Sequence, residues 1–263
     1  VVMDVNTGAV LACATYPSYD LNTYYQNYEA LSKDKSSPLW NRALMSTYEP
    51  GSTMKPAIAA AGLEEGVITE TSKFYCSHIY RQFTDTTFKC LGSHGWIDVK
   101  NALNQSCNIY FYETGRLLGI NRMNDYCTRF GLGQKTGVEI NESSGVLAGI
   151  AYREAHGGTW YPGDTVQAAI GQSDNLFTPI QLCSYVSTIA NGGTRYRAHF
   201  VKSVKSSDYS ETLLSNDGVV LNETGVSQNS IRIVKEGMEM FGARLPAFKS
   251  LPVKAVSYTH LRA

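Results

Sequence analysis

Two side chains that could form a serine acyl-transfer pair, Ser52 and Lys55, lie three residues apart in the stretch YEPGSTMKPAIAAAGLEEG. A serine hydroxyl is a poor nucleophile until a base takes its proton. Lysine can be that base when burial or a nearby cation lowers its pKa. Residues at positions i and i+3 share one face of a helix, so the pair can meet if a helix begins near Ser52. The pattern alone is weak, because a serine at such a position commonly only caps the helix.

Prolines on both sides of the pair place the start of this helix. Pro56 is tolerated only in a first turn, and Pro50-Gly51 is a poor helix interior. Ser52 would then lie at the positive end of the helix, where an alkoxide or oxyanion is favoured. A second Ser-x-x-Lys, at residues 32–35, lies in a polar stretch that we predict to be a loop.

A serine acyl-transfer site of this type also has a Ser-x-Asn and a Lys-Thr-Gly element. Ser-x-Asn occurs three times, at residues 106–108, 173–175 and 227–229. Only the first copy lies at a helical segment with apolar flanks, so we assign it to the site. For the other two we predict a turn or a helix cap. The hydroxyl of Ser106 could relay a proton, and the amide of Asn108 could bind an amide of the substrate.

Lys-Thr-Gly occurs once, at residues 135–137 within FGLGQKTGVEI. This triplet follows the second element closely and lies in a glycine-rich turn after a predicted helix. The third element of such a site should lie on a sheet edge beside the serine. We therefore reject this copy and expect Lys135 to lie far from Ser52.

The six cysteines are too few for a scaffold built on disulfides in a chain of this length. Cys76 and Cys90 differ from the others because they lie in a polar stretch, FYCSHIYRQFTDTTFKCLGSHG. With His78 and His94 they form a C-x-H…C-x3-H pattern, which is a weak zinc signal. We predict a disulfide or a close contact between Cys76 and Cys90 and no metal site. Unpaired thiols and a bound metal are the alternatives.

Composition excludes several classes of function. The chain has 263 residues, of which 43% are hydrophobic, as in ordinary globular proteins. Lys+Arg and Asp+Glu are both 23, so nothing indicates a nucleic acid or a strongly acidic partner. No apolar run reaches the roughly 18 residues of a transmembrane helix, and no signal peptide is recognised. Because the chain opens without Met inside a strand-like run, we expect it to be a fragment.

Helices are the main elements predicted to position the site. The Asn-Thr-Gly turn in VVMDVNTGAVLACAT predicts an N-terminal β-hairpin. Helices are predicted after Ser52 as far as Gly66 and in four later segments. These segments are 98–119, 120–133, 178–193 and 230–242. Residues 16–42 are predicted to form a long loop with short helical turns. Irregular structure is predicted for residues 74–95 and for the polar stretch between about 205 and 230.

The whole chain resembles the transpeptidase domain of class B penicillin-binding proteins over nearly all of residues 1–254. The stretches with the resemblance are VVMDVNTGAVLACATYPSYDLN, NRALMSTYEPGSTMKPAIAAAGLEEG, HGWIDVKNALNQSCNIYFYETGRLLG, FGLGQKTGVEI, WYPGDTVQAAIGQSDNLFTPIQLCSYVSTIANGG and LPVKA. The resemblance implies an α/β (α+β) fold like that of penicillin-binding proteins and β-lactamases. An antiparallel sheet flanked by helices, with a helical subdomain, is expected.

The resemblance also implies a function. In that family YEPGSTMK holds the acylated serine and its lysine, so Ser52 is expected to be the nucleophile and Lys55 its base. Ser106 would be the proton relay and Asn108 the substrate-binding amide. The expected partners are peptidoglycan stem peptides ending in D-Ala-D-Ala, β-lactams and other cell-wall synthesis proteins. No metal or organic cofactor is implied. The parent protein is expected on the extracytoplasmic face of the bacterial membrane, held by an N-terminal anchor that this chain lacks.

Two other functions fit the same resemblance. A β-lactamase or D,D-carboxypeptidase would need water admitted to the acyl-enzyme. A β-lactam sensor or scaffold would use the fold without catalysis. The intact Ser-x-x-Lys and Ser-x-Asn elements argue against a decayed site.

The chain departs from the family pattern in two places. Ser173 stands where the family usually has a glycine. The larger departure is that SLPVKAV runs into SYTHLRA, so the strand with Lys-Thr-Gly does not follow. We interpret residues 255–263 as a non-native tail and residues 1–254 as a partial transpeptidase domain. Its sheet would be incomplete, and the chain itself is expected to be inactive.

Overall fold

Helices form the frame that positions the site, and the computed structural model describes them over residues 1–246. The helices of this part are α1 (Tyr24–Lys33), α2 (Arg42–Met45), α3 (Lys55–Glu64), α4 (Val99–Gln105), α5 (Asn108–Leu118), α6 (Ile120–Arg129), α7 (Ile150–Ala155), α8 (Pro162–Ala169), α9 (Pro179–Ala190) and α10 (Gln228–Arg244). The helices predicted after Ser52, over 120–133, over 178–193 and near the C-terminal end are confirmed as α3, α6, α9 and α10.

The strands are short and pair two by two, always antiparallel, within the described residues. The pairs are β1 (Val2–Met3) with β2 (Val10–Ala12), β3 (Phe74–Cys76) with β6 (Gly95–Ile97), β4 (Ile79–Tyr80) with β5 (Phe88–Lys89), β7 (Thr194–Tyr196) with β10 (Val220–Glu223), and β8 (Ser203–Lys205) with β9 (Thr212–Ser215). The predicted N-terminal hairpin is confirmed as β1–β2. The predicted α+β class, with antiparallel strands beside helices, is also confirmed.

Helix α3 is the centre of the core. All of residues 55–62 are buried, and half of them are alanine. A helix that is apolar on every side is stable only when other elements surround it. Its small side chains let α5, α6 and α10 pack closely against it. Lys55, the first residue of α3, is therefore taken into the core with the helix.

The segment predicted as one helix over 98–119 is interrupted, and α4 and α5 are separated by Ser106 and Cys107. Ser106 ends α4 in the left-handed conformation, with φ 52°. The N–H of Cys107 donates to the carbonyl of Ala102 at 2.9 Å, which closes the end of the helix. Cys107 is extended, and α5 then begins at Asn108. The interruption turns the side chains of Ser106 and Asn108 toward the start of α3.

Residues 16–42, predicted as a long loop with short helical turns, contain a longer helix than predicted, the 10 residues of α1. Ser32, of the second Ser-x-x-Lys, therefore lies in a helix, and its hydroxyl donates to the carbonyl of Glu29. Helix α1 has no buried residue. Without an apolar face its sequence lacks the periodicity by which a helix is recognised.

The irregular structure predicted for residues 74–95 and for the stretch after residue 205 is wrong in part. The first region contains β3, β4 and β5, and the second contains β9 and β10. These strands have only two to four residues. Such short strands do not show the alternation of apolar and polar residues that predicts a strand.

No helix in residues 1–246 combines the length and the apolar character that crossing a bilayer requires. The predicted tail at residues 255–263 and the predicted domain boundary at residue 254 lie outside the described residues.

Candidate active site

Ser52 lies in a 3-10 turn, Gly51–Met54, that leads directly into α3 at Lys55. The turn is fixed at Gly51, whose N–H donates to the carbonyl of Gly171 at 2.9 Å. The predicted helix start at the serine is therefore confirmed, with the tight turn as its first part. Ser52 is half-buried, whereas the side chain of Lys55 is fully buried.

The structure brings Ser52, Lys55, Ser106 and Asn108 into one hydrogen-bonded group. The Oγ of Ser106 donates to the Oγ of Ser52 at 2.8 Å. The Nζ of Lys55 donates to the Oγ of Ser106 at 3.0 Å and to its carbonyl at 2.8 Å. A third bond runs from this Nζ to the Oδ1 of Asn108 at 2.7 Å. Hydroxyl hydrogens rotate, so the same oxygens can pass a proton from Ser52 through Ser106 to the amine.

Burial gives Lys55 the properties of a base. Loss of water around the amine lowers the pKa of Lys55 to about 7, and the thiols of Cys90 and Cys107 oppose this shift. No carboxylate of the described residues forms an ion pair with Lys55. The ring of Phe111 lies 5.7 Å from the Nζ. A large fraction of this lysine is therefore neutral at neutral pH and able to accept a proton.

Tyr185 of α9 holds the start of α3 in place. Its side chain is fully buried, and its hydroxyl donates to the carbonyl of Thr53 at 2.9 Å. The same oxygen accepts the N–H of Ala57 at 3.2 Å. Sequence reasoning missed Tyr185, because it lies more than a hundred residues away and its segment looked like an ordinary amphipathic helix.

Gly171 is a second contributor that the sequence did not reveal. It has φ 75°, and a Cβ built on it would lie 2.2 Å from the carbonyl oxygen of Gly51. Only glycine fits so close to another backbone in this conformation. Gly171 belongs to the IGQ sequence in one of the stretches that resemble the family, but its position in the chain did not indicate a contact with the segment of Ser52.

The two rejected copies of Ser-x-Asn have other roles. Asn175 is fully buried, where its Oδ1 accepts the N–H of Ala148 at 3.0 Å. Ser173 accepts a hydrogen bond from Arg153 at 3.1 Å. Ser227 caps α10. These are the turn and cap roles that we predicted.

The rejected Lys-Thr-Gly copy is bound to a carboxylate. The N–H and hydroxyl of Thr136 donate to the Oε2 of Glu142 at 3.0 and 2.7 Å, and the N–H of Gly137 donates to its Oε1. The carbonyl of Lys135 accepts a hydrogen bond from Arg195. This triplet therefore serves a turn, and the hydrogen-bonded group around Ser52 does not include it.

Of the two predicted outcomes for Cys76 and Cys90, the structure shows the close contact, with Sγ atoms within 4.8 Å, and not the disulfide, because both are buried free thiols. They lie instead in a cluster with His94 and Cys107, whose ligand atoms are all within 4.8 Å of one another. The Nδ1 of His94 lies 3.3 Å from the Sγ of Cys76 and 3.6 Å from that of Cys90. The Sγ atoms of Cys90 and Cys107 are 4.0 Å apart. The atoms surround one centre, and His78 of the sequence pattern is not among them.

This donor set fits a structural Zn²⁺, so the metal alternative gains support over the disulfide. In a tetrahedral site with Zn–S near 2.3 Å, neighbouring ligand atoms lie about 3.5–3.8 Å apart. The sulfurs are buried, and the Sγ of Cys90 also accepts the N–H of Asn108 at 3.3 Å. Cys107 lies between Ser106 and Asn108, so such an ion would hold the second motif in place. Sequence reasoning missed Cys107 because it resembled a core thiol.

A serine hydrogen-bonded to a second serine, which in turn contacts a buried lysine at the start of a buried helix, is the arrangement of serine acyl-transfer proteins that use Ser-x-x-Lys. The chain belongs to the penicillin binding protein transpeptidase domain family, which it matches over residues 1–244. The resemblance stated from the sequence is thereby confirmed.

Known proteins of this family are similar over most of the chain. The peptidoglycan D,D-transpeptidase MrdA of Salmonella typhimurium is 34% identical over 218 residues, which cover 78% of this chain and 34% of that protein. PBP2 of Pseudomonas aeruginosa, solved in complex with WCK 5153, is 32% identical with a TM-score of 0.79, covering 90% of this chain and 55% of that chain. PBP2 of Helicobacter pylori, solved with MreC, is 26% identical with a TM-score of 0.79, covering 90% and 44%. The chain thus spans about a third of the length of MrdA.

Proposed function

We propose that the chain is the acyl-transfer unit of a peptidoglycan D,D-transpeptidase. The observation that supports this most is the hydrogen-bonded series Lys55–Ser106–Ser52 at the start of α3. It joins a nucleophile, a relay and a base whose pKa is near 7. These are the three parts that serine acyl transfer requires at neutral pH.

In the first step the Oγ of Ser52 attacks the carbonyl carbon between the two terminal D-alanines of a stem peptide. The proton of Ser52 passes to the Oγ of Ser106, whose own proton passes to the neutral amine of Lys55. When the tetrahedral intermediate collapses, the C–N bond breaks and the departing D-alanine takes a proton from the relay. The remaining peptide is then an ester of Ser52.

In the second step an amine of a neighbouring stem peptide attacks this ester. The relay accepts the proton of the amine and returns one to the Oγ of Ser52 as the ester bond breaks. The product is a peptide crosslink. A β-lactam acylates Ser52 in the same way, but its ring opens without losing a separate amine, so the ester persists.

Asn108 would contribute to substrate binding. In the structure its Oδ1 accepts from Lys55, and its Nδ2 donates to the carbonyl of Lys89 at 3.2 Å. We propose that a carbonyl of the substrate replaces that of Lys89 as the partner of Nδ2. The hydrogen bond from Lys55 to Asn108 can remain, so the bound substrate and the base would keep the same relative position.

The chain as given should acylate slowly. Its only Lys-Thr-Gly binds Glu142, and a strand with this triplet beside Ser52 would be needed to bind the carboxylate of the substrate. An extension that adds a strand with Lys-Thr-Gly beside Ser52 should make the reaction rapid. The test is to label the 263-residue chain and the extended chain with a fluorescent penicillin and to map the labelled peptide.

The expected result is a label on Ser52 that is rapid in the extended chain and absent after Ser52→Ala. Ser32→Ala, in the other Ser-x-x-Lys, is the matched control and should label normally. Label that persists in Ser52→Ala, or an extended chain that does not react, would contradict the proposal. Fast release of hydrolysed penicillin would favour a β-lactamase or a D,D-carboxypeptidase, and labelling without turnover of stem peptides would favour a sensor.

The location and protein partners are proposals of the same kind. Uncrosslinked stem peptides ending in D-Ala-D-Ala are available outside the cytoplasmic membrane, so we place the parent protein there. PBP2 of Helicobacter pylori was solved in a complex with MreC. A protein of that kind is therefore the partner to test first.

A further inference from the structure

A groove beside the second motif has no role in the chemistry described above. It measures about 350 Å³ and lies between β3, β4 and the first turn of α5. Its wall includes Ile109, which directly follows Asn108. The volume of the groove lies in the range of small-molecule sites.

An aromatic pair forms one rim of this groove. Tyr75 and Trp96 face each other on β3 and β6, and their ring centroids are 5.4 Å apart. Both rings are unusually open to solvent, with 57% of Tyr75 and 69% of Trp96 exposed. Large exposed aromatic side chains in contact mark interaction surfaces. Sugar rings suit such a platform, because their C–H-rich faces stack on aromatic rings while their hydroxyls stay in water.

The groove also has excess positive charge. Lys73 and Arg81 line it and are exposed, and neither forms an ion pair within residues 1–246. The one acidic residue of the lining, Glu113, is paired with Arg116 at 2.8 Å. Two unpaired cations beside an aromatic platform suit a ligand with both a sugar and a carboxylate.

We propose that this groove binds a peptidoglycan strand. An N-acetylated sugar would stack on Tyr75 and Trp96, and a carboxylate of the attached stem peptide would bind Lys73 and Arg81. This inference rests on the proposed function, because the occupant belongs to the substrate class of that function. It adds a second site that holds the strand while Ser52 reacts.

Tryptophan fluorescence tests the platform directly. The probe is a soluble, uncrosslinked strand fragment of two disaccharides with their stem peptides, added to the 263-residue chain. We expect a saturable change in emission that is lost in Trp96→Phe. Trp40→Phe is the matched control, because Trp40 is also exposed, at 45%, and lies outside the groove. No saturable change, or a change that survives in Trp96→Phe, would overturn the inference.

A second pair of variants tests the charges. Lys73→Gln with Arg81→Gln should weaken binding of the peptide-bearing fragment by about tenfold, the loss of one charge-assisted hydrogen bond or more. The same double variant should bind a peptide-free chitin tetrasaccharide unchanged. Lys202→Gln with Lys205→Gln is the control and should change neither affinity. Equal weakening in both double variants would show that only overall charge matters, which would contradict the site.

Binding and chemistry can fail separately in these experiments. Ser52→Ala should bind the strand fragment as the unaltered chain does. Penicillin labelling together with no strand binding would overturn the groove alone. Strand binding without any labelling of the extended chain would instead overturn the proposed acyl transfer.

Discussion

The Nζ of Lys55 and the Oγ of Ser106 lie 3.0 Å apart, although the two residues are separated by 51 positions in the chain. Both are held by backbone structure, Lys55 as the first residue of α3 and Ser106 as the left-handed end of α4. Burial favours the neutral amine, whose two N–H groups can donate to the carbonyl of Ser106 and to Asn108 while its lone pair faces the Oγ of Ser106. The proposed relay is therefore assembled before any substrate arrives.

Replacing Lys55, the proposed base, should slow acylation of Ser52. Lys55→Gln keeps a hydrogen-bonding side chain but cannot accept a proton, so we expect a loss of about 10²–10⁴-fold in the acylation rate. The measurement is the second-order rate of penicillin labelling in the extended chain. Lys35→Gln, in the other Ser-x-x-Lys, is the control and should leave the rate unchanged. A Lys55→Gln rate close to that of the unaltered chain would remove Lys55 from the mechanism.

The acylation rate should depend on pH through Lys55. Burial lowers the pKa of Lys55 to about 7, so the fraction of neutral amine rises with pH up to that value and then levels off. Below it the rate should fall by about tenfold for each pH unit. In the unfolded chain the amine keeps its proton to about pH 10, so its contribution to the free energy of unfolding should increase between about pH 7 and 10. A flat rate profile from about pH 5.5 to about pH 8.5, a range that spans the lowered pKa of Lys55, would contradict this role.

Two glycines provide a matched test of the contact behind Ser52. Gly171 and Gly157 both have φ 75°, but only at Gly171 would a Cβ meet another backbone, 2.2 Å from the carbonyl oxygen of Gly51. Gly157→Ala should therefore cost only about 1–2 kcal/mol, the penalty of the left-handed conformation. Gly171→Ala should lower the melting temperature further and slow labelling of Ser52. Equal melting temperatures and labelling rates for the two variants would show that the close approach does not position Ser52.

Metal content distinguishes the two histidines of the sequence pattern. We expect about one zinc ion per chain in protein purified without a metal-affinity step, and its loss in His94→Asn. His78→Asn makes the same chemical change outside the cluster, at φ 76°, a conformation that asparagine tolerates. Chelation should lower the melting temperature, and zinc but not magnesium should restore it. A disulfide found by peptide mapping, or free thiols without zinc uptake, would refute the site.

Local spacing was enough to predict one half of the site. Ser52 and Lys55 are separated by one helical turn, and the flanking prolines fixed where that turn begins. The motif pattern then selected Ser106 and Asn108, and the structure brings them to Ser52. What could not be predicted was the interruption after α4, because a serine in the left-handed conformation leaves no clear mark in a helical sequence.

Contacts between distant segments account for the other failures. Cys107 lies in a segment with helical periodicity, and only the folded chain shows that its Sγ lies 4.0 Å from that of Cys90. Gly171 and Tyr185 act on Ser52 through backbone approach and through hydrogen bonds across the core. Neither contact leaves a periodic pattern or a motif in the amino-acid sequence. The short strands were missed for a related reason, since they are defined by their partners.

Because the chain turns at Ser106 in the left-handed conformation, the hydroxyl of Ser106 lies at the end of α4 and the amide of Asn108 lies at the start of α5. Helix α4 packs chiefly on α10, whereas α5 packs chiefly on α8. In the proposed mechanism, the hydroxyl that relays the proton and the amide that binds the substrate are therefore supported by different helices. Substitutions on α10 would act on the position of Ser106, and substitutions on α8 would act on the position of Asn108. The rate of proton transfer and the choice of peptide would then be adjustable separately.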